Sequence, residues 1–146
     1  MSDHIMNAYY DELGELRSLI GNMGEAVLAQ VDAAAQALQQ SDVALVELAL
    51  QKDHMIDSLF REVEDKAIRM IAKRQPVAGD LRAIMASIKI AADLERIGDL
   101  AKNTVNRTGA MADGVARLTE VVMPIGEMAE EELRKVLAAF ADKDSA

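Results

Sequence analysis

The sequence predicts an all-α fold, an up-down bundle of long antiparallel helices, and three observations carry that expectation. The first is composition. Of 146 residues 51% are hydrophobic, yet there are only two Phe, two Tyr and no Trp. Ala, Leu, Ile, Val and nine Met supply the apolar surface, and Ala, Leu, Met, Glu, Lys and Arg all favour helix. The second is punctuation: two Pro and eight Gly are too few for the turns of an all-β domain. The third is periodicity, since apolar residues recur at threes and fours, the spacing of a helix with one buried stripe.

Taken in order, a first helix is expected over residues 7–40, with Leu13, Leu16, Ile20, Met23, Val27, Val31, Ala34 and Leu38 as its stripe. Gly14, Gly21 and Gly24 lower its propensity; they either admit a close helix neighbour or loosen the turns. Gln40-Ser41-Asp42 reads as a turn and N-cap, because Ser and Asp side chains accept from free backbone N–H groups. A second helix follows over 42–73, with Leu45, Leu48, Ala49, Ile56, Leu59, Val63, Ala67, Met70 and Ile71. Lys73 and Arg74 suit its negative C-terminal end. Pro76 stops it, since the residue before proline avoids helical angles.

The third helix is expected to begin within 76–80, with Pro76 in its first turn and Asp80 at its positive end, and to run to about 112. Gly114 reads as a break. A fourth helix spans 116–142, with Pro124 near its start or as a kink. The polar tail from Asp142 is expected to fray. Helices of about 30 residues are on the order of 45 Å long, and short loops between them make antiparallel neighbours.

Composition also excludes functions. The net charge of −9 argues against DNA or RNA as the partner, because phosphate backbones need a basic surface. With no cysteine, disulfides, thiolate zinc sites and thiol catalysis are excluded. Met1-Ser2-Asp3-His4 does not open a secretory signal. No apolar run approaches the roughly 20 residues of a membrane span, so a soluble protein with no direct membrane insertion is expected. There is no nucleophile elbow and no phosphate-cradling glycine loop, and an enzyme is not expected.

One feature does not fit a plain bundle. On a helical wheel Leu81, Ile84, Met85, Ile88 and Ala92 share a face, and the same line continues as Glu95, Asp99, Asn103 and Asn106. The stripe thus turns from apolar to acidic and amide, while Leu94, Ile97, Ala101 and Val105 lie on another side. Glu95 and Asp99, at i and i+4, project together and repel. The second helix repeats the spacing in Asp53 and Asp57, with Glu64 beyond, on a face shared with Ala49, Ile56, Phe60, Ala67 and Ile71. Asp57 lies 19 residues before Pro76 and Glu95 lies 19 after it. In an antiparallel pair the two carboxylate pairs therefore meet. Carboxylates suit hard cations. The alternative is a solvated acidic face neutralised by Lys52, Arg61, Arg96 and Lys102. A ferritin-like di-iron site is disfavoured, because that design uses Glu-x-x-His pairs, absent here. His54, beside Asp53, either assists or is a surface residue.

The run Ile71-Ala72-Lys73-Arg74-Gln75-Pro76-Val77-Ala78-Gly79-Asp80-Leu81-Arg82, followed by Asp93-Leu94-Glu95-Arg96-Ile97-Gly98-Asp99, resembles the PhoU family of phosphate-uptake regulators. The first helix is similar too, in Glu12-Leu13-Gly14-Glu15-Leu16-Arg17 and Met23-Gly24, and the likeness covers the whole chain. The resemblance implies two repeats of a three-helix bundle, each with a Glu/Asp-x-x-x-Asp motif that binds iron or other metals in some members. Glu95 to Asp99 matches that motif, and Asp53 to Asp57 has the same form, so Glu95, Asp99, Asp53 and Asp57 are the candidate metal ligands, for iron or for Mg, Mn, Ca or Zn. It further implies a cytoplasmic homodimer that represses the phosphate ABC-transporter ATPase subunit and the phosphate sensor histidine kinase. Residues 1–112 correspond to one repeat. Residues 113–146 correspond to the first helix of a second, incomplete repeat, so a truncated chain is expected. A metal-binding bundle, or a PhoU-like domain serving another transporter, are the competing readings.

Overall fold

The computed structural model describes residues 2–40, 43–109 and 115–142. They form α1 (Ser2–Gln40), α2 (Val43–Arg74), α3 (Ala78–Gly109) and α4 (Val115–Asp142). The four expected helices are present, and no strand occurs among the described residues. Ser41 and Asp42 of the expected N-cap, the Gly114 break and residues 143–146 of the tail lie outside them. Pro124 lies well inside α4.

Helices α1, α2 and α3 pack pairwise, and α4 packs chiefly on α1. Side-chain pairs give the directions. Glu12 meets Arg74 and Gln30 meets Ala49, so α1 and α2 are antiparallel. Lys102 meets Asp53, and Gly98 lies against Ile56, so α3 returns antiparallel to α2. Both pairs are centred near Val77, within about a residue of the expected mirror point.

The buried stripes are heptad-like. They run Leu16, Ile20, Met23, Val27, Gln30, Ala34, Ala37 on α1; Ala49, Asp53, Ile56, Val63, Ala67, Met70 on α2; and Ile84, Ser87, Ala91, Leu94, Gly98, Val105 on α3. Alternating steps of three and four keep one seam facing the partner helices. This corrects the wheel reading of α3. Leu81 and Met85 are exposed, and the core line passes through Leu94 and Gly98 instead. Glu95 and Asp99 each sit one residue, about 100°, around from that line. They flank the core rather than continue it. The apolar runs on α3 are broad enough to fit two neighbouring lines, and packing against both α1 and α2 selects the second.

The junction of α2 and α3 is also specific. Gln75 takes φ 44°, and its N–H donates to the Ile71 carbonyl at 3.2 Å, a left-handed C-cap usually taken by glycine. The helix stops before Pro76 as expected. Pro76 does not occupy the first turn of α3, which begins at Ala78. The Val77 carbonyl accepts from the Leu81 N–H at 3.0 Å, which makes Val77 the N-cap and leaves Pro76 outside. Arg74 clamps the same end, donating from Nε and Nη2 to the two carboxylate oxygens of Glu12 at 3.3 and 3.2 Å.

Gly24 lies directly against α4. A Cβ there would collide with the tip of Leu137, so this glycine admits the close approach. Gly14 and Gly21 have nothing within 4 Å of a Cβ position. On its other side α4 leaves Val121, Ile125, Met128 and Val136 exposed.

Candidate functional site

The apolar core is divided. One cluster extends from Tyr9 through Val27, Ile56 and Leu94. A second, smaller cluster holds Ala33, Ala34, Ala49 and Val105. Between them lie Gln30 of α1, Asp53 of α2, and Gly98 and Lys102 of α3, a polar layer across the three helices. Of the four candidate ligands, Asp53 lies in this layer and Asp57, Glu95 and Asp99 border it.

Asp53 stands in the core stripe and is buried, at 7% exposure. A carboxylate so placed needs a partner, because taking an ion out of water costs several kcal/mol. Lys102 supplies it, with Nζ 2.7 Å from Asp53 Oδ2 and 2.7 Å from Asp99 Oδ1. Asp99 and Lys102 are one turn apart on α3, so the ammonium bridges its own helix to α2. The two carboxylates hold the Lys102 ammonium well above the usual lysine range.

Glu95 and Asp57 complete the patch; both are half-buried. Burial pushes the Glu95 carboxyl up, and the charges of Asp99, Asp57 and Asp53 push it further, with Lys102 partly opposing. The two pairs thus form one electrostatic group. His54 is exposed. Of the four cations weighed as neutralisers, Lys102 is the one that makes an ion pair among the described residues.

As placed, the residues do not fit a resident metal. Among the described residues no three His, Cys, Asp or Glu side chains converge on one ion. Hard cations ask for about six oxygens at 2.0–2.6 Å. The distances here are those of an ammonium hydrogen-bonded to carboxylates.

Gln30 and Gly98 were not among the residues singled out from sequence. Gln30 is fully buried; its Nε2 donates to the Ala49 carbonyl at 3.1 Å, and its Oε1 has no hydrogen-bond partner. A Cβ on Gly98 would lie 2.6 Å from that oxygen and 3.2 Å from Ile56 Cδ1. The glycine within Glu95-Arg96-Ile97-Gly98-Asp99 therefore makes room for the α1 carboxamide. The signal was present in the spacing: Gln30 falls three residues after Val27 and four before Ala34, on the stripe itself.

Open grooves among the described residues lie elsewhere. One, about 640 Å³, runs between α1 and α4 past Arg17, Asn22 and Phe140. Another, about 630 Å³, runs between α1 and α2 past Ser18, Lys66 and Arg69. Neither is lined by the four acids.

Comparison with known proteins matches residues 20–108 to the PhoU domain. The chain belongs to the PhoU family. The PhoU match begins midway along α1 and ends at the C-terminal end of α3, so it contains the polar layer whole. Three relatives named phosphate-specific transport system accessory protein PhoU homolog align over 71–99% of the chain. The protein from Rhizobium meliloti is 44% identical over 142 residues, 96% of this chain and 60% of the relative. That from Caulobacter vibrioides is 36% identical over 146 residues, 99% of this chain and 64% of the relative. One from Aquifex aeolicus is 41% identical over 104 residues, 71% of this chain and 47% of the relative. The chain thus spans less than two thirds of the length of these PhoU relatives. No helix among the described residues is long and apolar enough to cross a membrane.

Proposed function

We propose that the protein is a non-enzymatic, cytoplasmic accessory regulator of phosphate transport, which represses uptake and phosphate-regulon signalling when phosphate is ample. The observation that carries this reading is the 44% identity, over nearly the whole chain, to a phosphate-specific transport system accessory protein. The partners it implies are the ATPase subunit of the phosphate ABC transporter and the phosphate sensor histidine kinase, bound by a homodimer. The mechanism is differential affinity: an adaptor that prefers one state of a partner shifts that partner toward it. The shape suits the role. Long rigid helices offer extended faces, and α4 keeps Val121, Ile125 and Met128 on one exposed side. The test is direct binding of the purified protein to the purified ATPase subunit by titration calorimetry. Saturable binding supports the reading, and its absence rejects the transporter as the target.

A second reading takes the acidic patch itself as the function, a bundle that binds iron, or Mg, Mn, Ca or Zn, through Glu95, Asp99, Asp53 and Asp57. It is favoured by the gathering of acids there: burial first, and then the charges of Asp99, Asp57 and Asp53, raise the Glu95 carboxyl. Lys102, already between Asp53 and Asp99, opposes it. Elemental analysis of the purified protein, beside the Glu95→Ala/Asp99→Ala variant, decides: metal lost in the variant supports the site, and metal retained rejects it.

A further inference from the structure

The metal reading and the observed geometry disagree at one atom, the Lys102 ammonium. We propose that Lys102 is the resident cation of the acidic patch: its Nζ fills the gap between Asp53 and Asp99 and keeps a divalent metal out of it. The inference rests on Asp53, Asp57, Glu95 and Asp99 being the residues that would hold a metal.

Three observations carry it. The first is position. Nζ is 2.7 Å from a carboxylate oxygen of each helix, so it fills the gap between the Asp53 and Asp99 carboxylates. The second is need. Asp53 sits in the core stripe at 7% exposure, between two apolar clusters, and a carboxylate there is stable only with a counter-charge. A tethered lysine meets that need at every metal concentration. The third is register. Glu95, Asp99 and Lys102 occupy successive turns along one edge of α3, so the same helix that presents the acids also presents their cation. Lysine suits the place better than arginine on charge density, since its ammonium is a compact point charge with three donors.

Exclusion follows from space and charge together. Two cations cannot share the gap between Asp53 and Asp99, and an incoming metal must expel an ammonium already making two charge-assisted hydrogen bonds. The protein is then held together by Lys102 without metal.

The test is equilibrium dialysis of chelator-stripped protein against manganese(II), with wild type, Lys102→Gln and Lys102→Arg compared. The proposal expects Lys102→Gln to bind manganese at least tenfold more tightly than wild type. Lys102→Arg, which keeps a cation, should stay like wild type, and Glu95→Ala/Asp99→Ala in the Lys102→Gln background should abolish the gain. Wild type binding as tightly as Lys102→Gln overturns the role of Lys102 and leaves the metal reading standing. Binding by none of the variants overturns both. If Lys102→Gln does not fold, reductive methylation of the wild type decides. Lys102 labelling at least tenfold more slowly than the exposed Lys89 supports the proposal, and equal labelling overturns it.

Discussion

Asp53 of α2 is joined to Lys102 of α3 by a 2.7 Å ion pair at the level where the apolar core of the bundle is interrupted. The pair lets a charge stand in a heptad position of α2. Removing Lys102 leaves the buried Asp53 carboxylate unpaired, which is the costly direction, whereas Lys102 without Asp53 keeps Asp99. Lys102→Met is expected to destabilise the fold by about 2 kcal/mol. Asp53→Asn/Lys102→Met should cost less than the sum of its parts. Urea unfolding of the four members of the cycle measures the coupling; additive effects would mean the pair is not formed in solution.

Glu95 gives a pH signature. Its folded carboxyl lies above the usual glutamate value, so the native state binds this proton more tightly than the unfolded chain does. By linkage the wild type loses stability as pH rises from the unfolded to the folded value. Glu95→Gln removes that loss. The variant should be more stable than wild type at neutral pH, by about 0.5 kcal/mol, with the advantage vanishing below the ordinary glutamate range. Glu12 has the opposite sign. The Arg74 guanidinium holds its carboxyl below the usual range, so its contribution is present above the unfolded value and lost as pH falls through the folded one. Thermal melts of wild type, Glu95→Gln and Glu12→Gln across pH 3–8 separate the two.

Gly98 and Gln30 make a packing prediction. An added methyl at Gly98 meets the buried Gln30 oxygen and Ile56, and the carboxamide cannot move without losing its bond to the Ala49 carbonyl. Gly98→Ala is expected to cost about 2 kcal/mol in spite of the better helix propensity of alanine. Gln30→Ala should recover part of that loss in the double variant, as measured by chemical denaturation.

Much of this arrangement could be read in the sequence, and the exceptions have physical reasons. The helices follow from periodicity that persists for many turns. The meeting of Asp57 with Glu95 follows from equal distances to Pro76, because an antiparallel hairpin fixes register. The core line of α3 differs from the one the wheel predicts, since a run containing Leu81, Ile84, Met85 and Ile88 supports two adjacent stripes and only the neighbouring helices choose between them. Gln30 was passed over because a polar residue in a stripe looks like a surface position until its partners are known. Lys102 was visible as one of four neutralising cations, but sequence carries no information on which ammonium reaches a buried carboxylate on another helix.

Gln75 offers a stabilising change. It carries a left-handed backbone, φ 44°, at a cap where glycine is favoured. Gln75→Gly should raise stability by about 0.5–1 kcal/mol without altering α2 or α3, seen as a higher melting temperature with an unchanged helical circular dichroism spectrum.

Gly24 governs α4. A methyl at this position displaces the Leu137 tip, a flexible group, so Gly24→Ala should cost only about 1 kcal/mol. The effect should be local. Amide exchange in α4 should quicken while α2 and α3 keep their protection, because α4 packs chiefly on α1.

Repression of phosphate-regulon output is the proposed role, and deletion of the gene reads it out. In phosphate-replete cells lacking the protein, output from a phosphate-regulon reporter should rise severalfold and return to the repressed level when the gene is restored. Reporter output unchanged by the deletion would contradict the account.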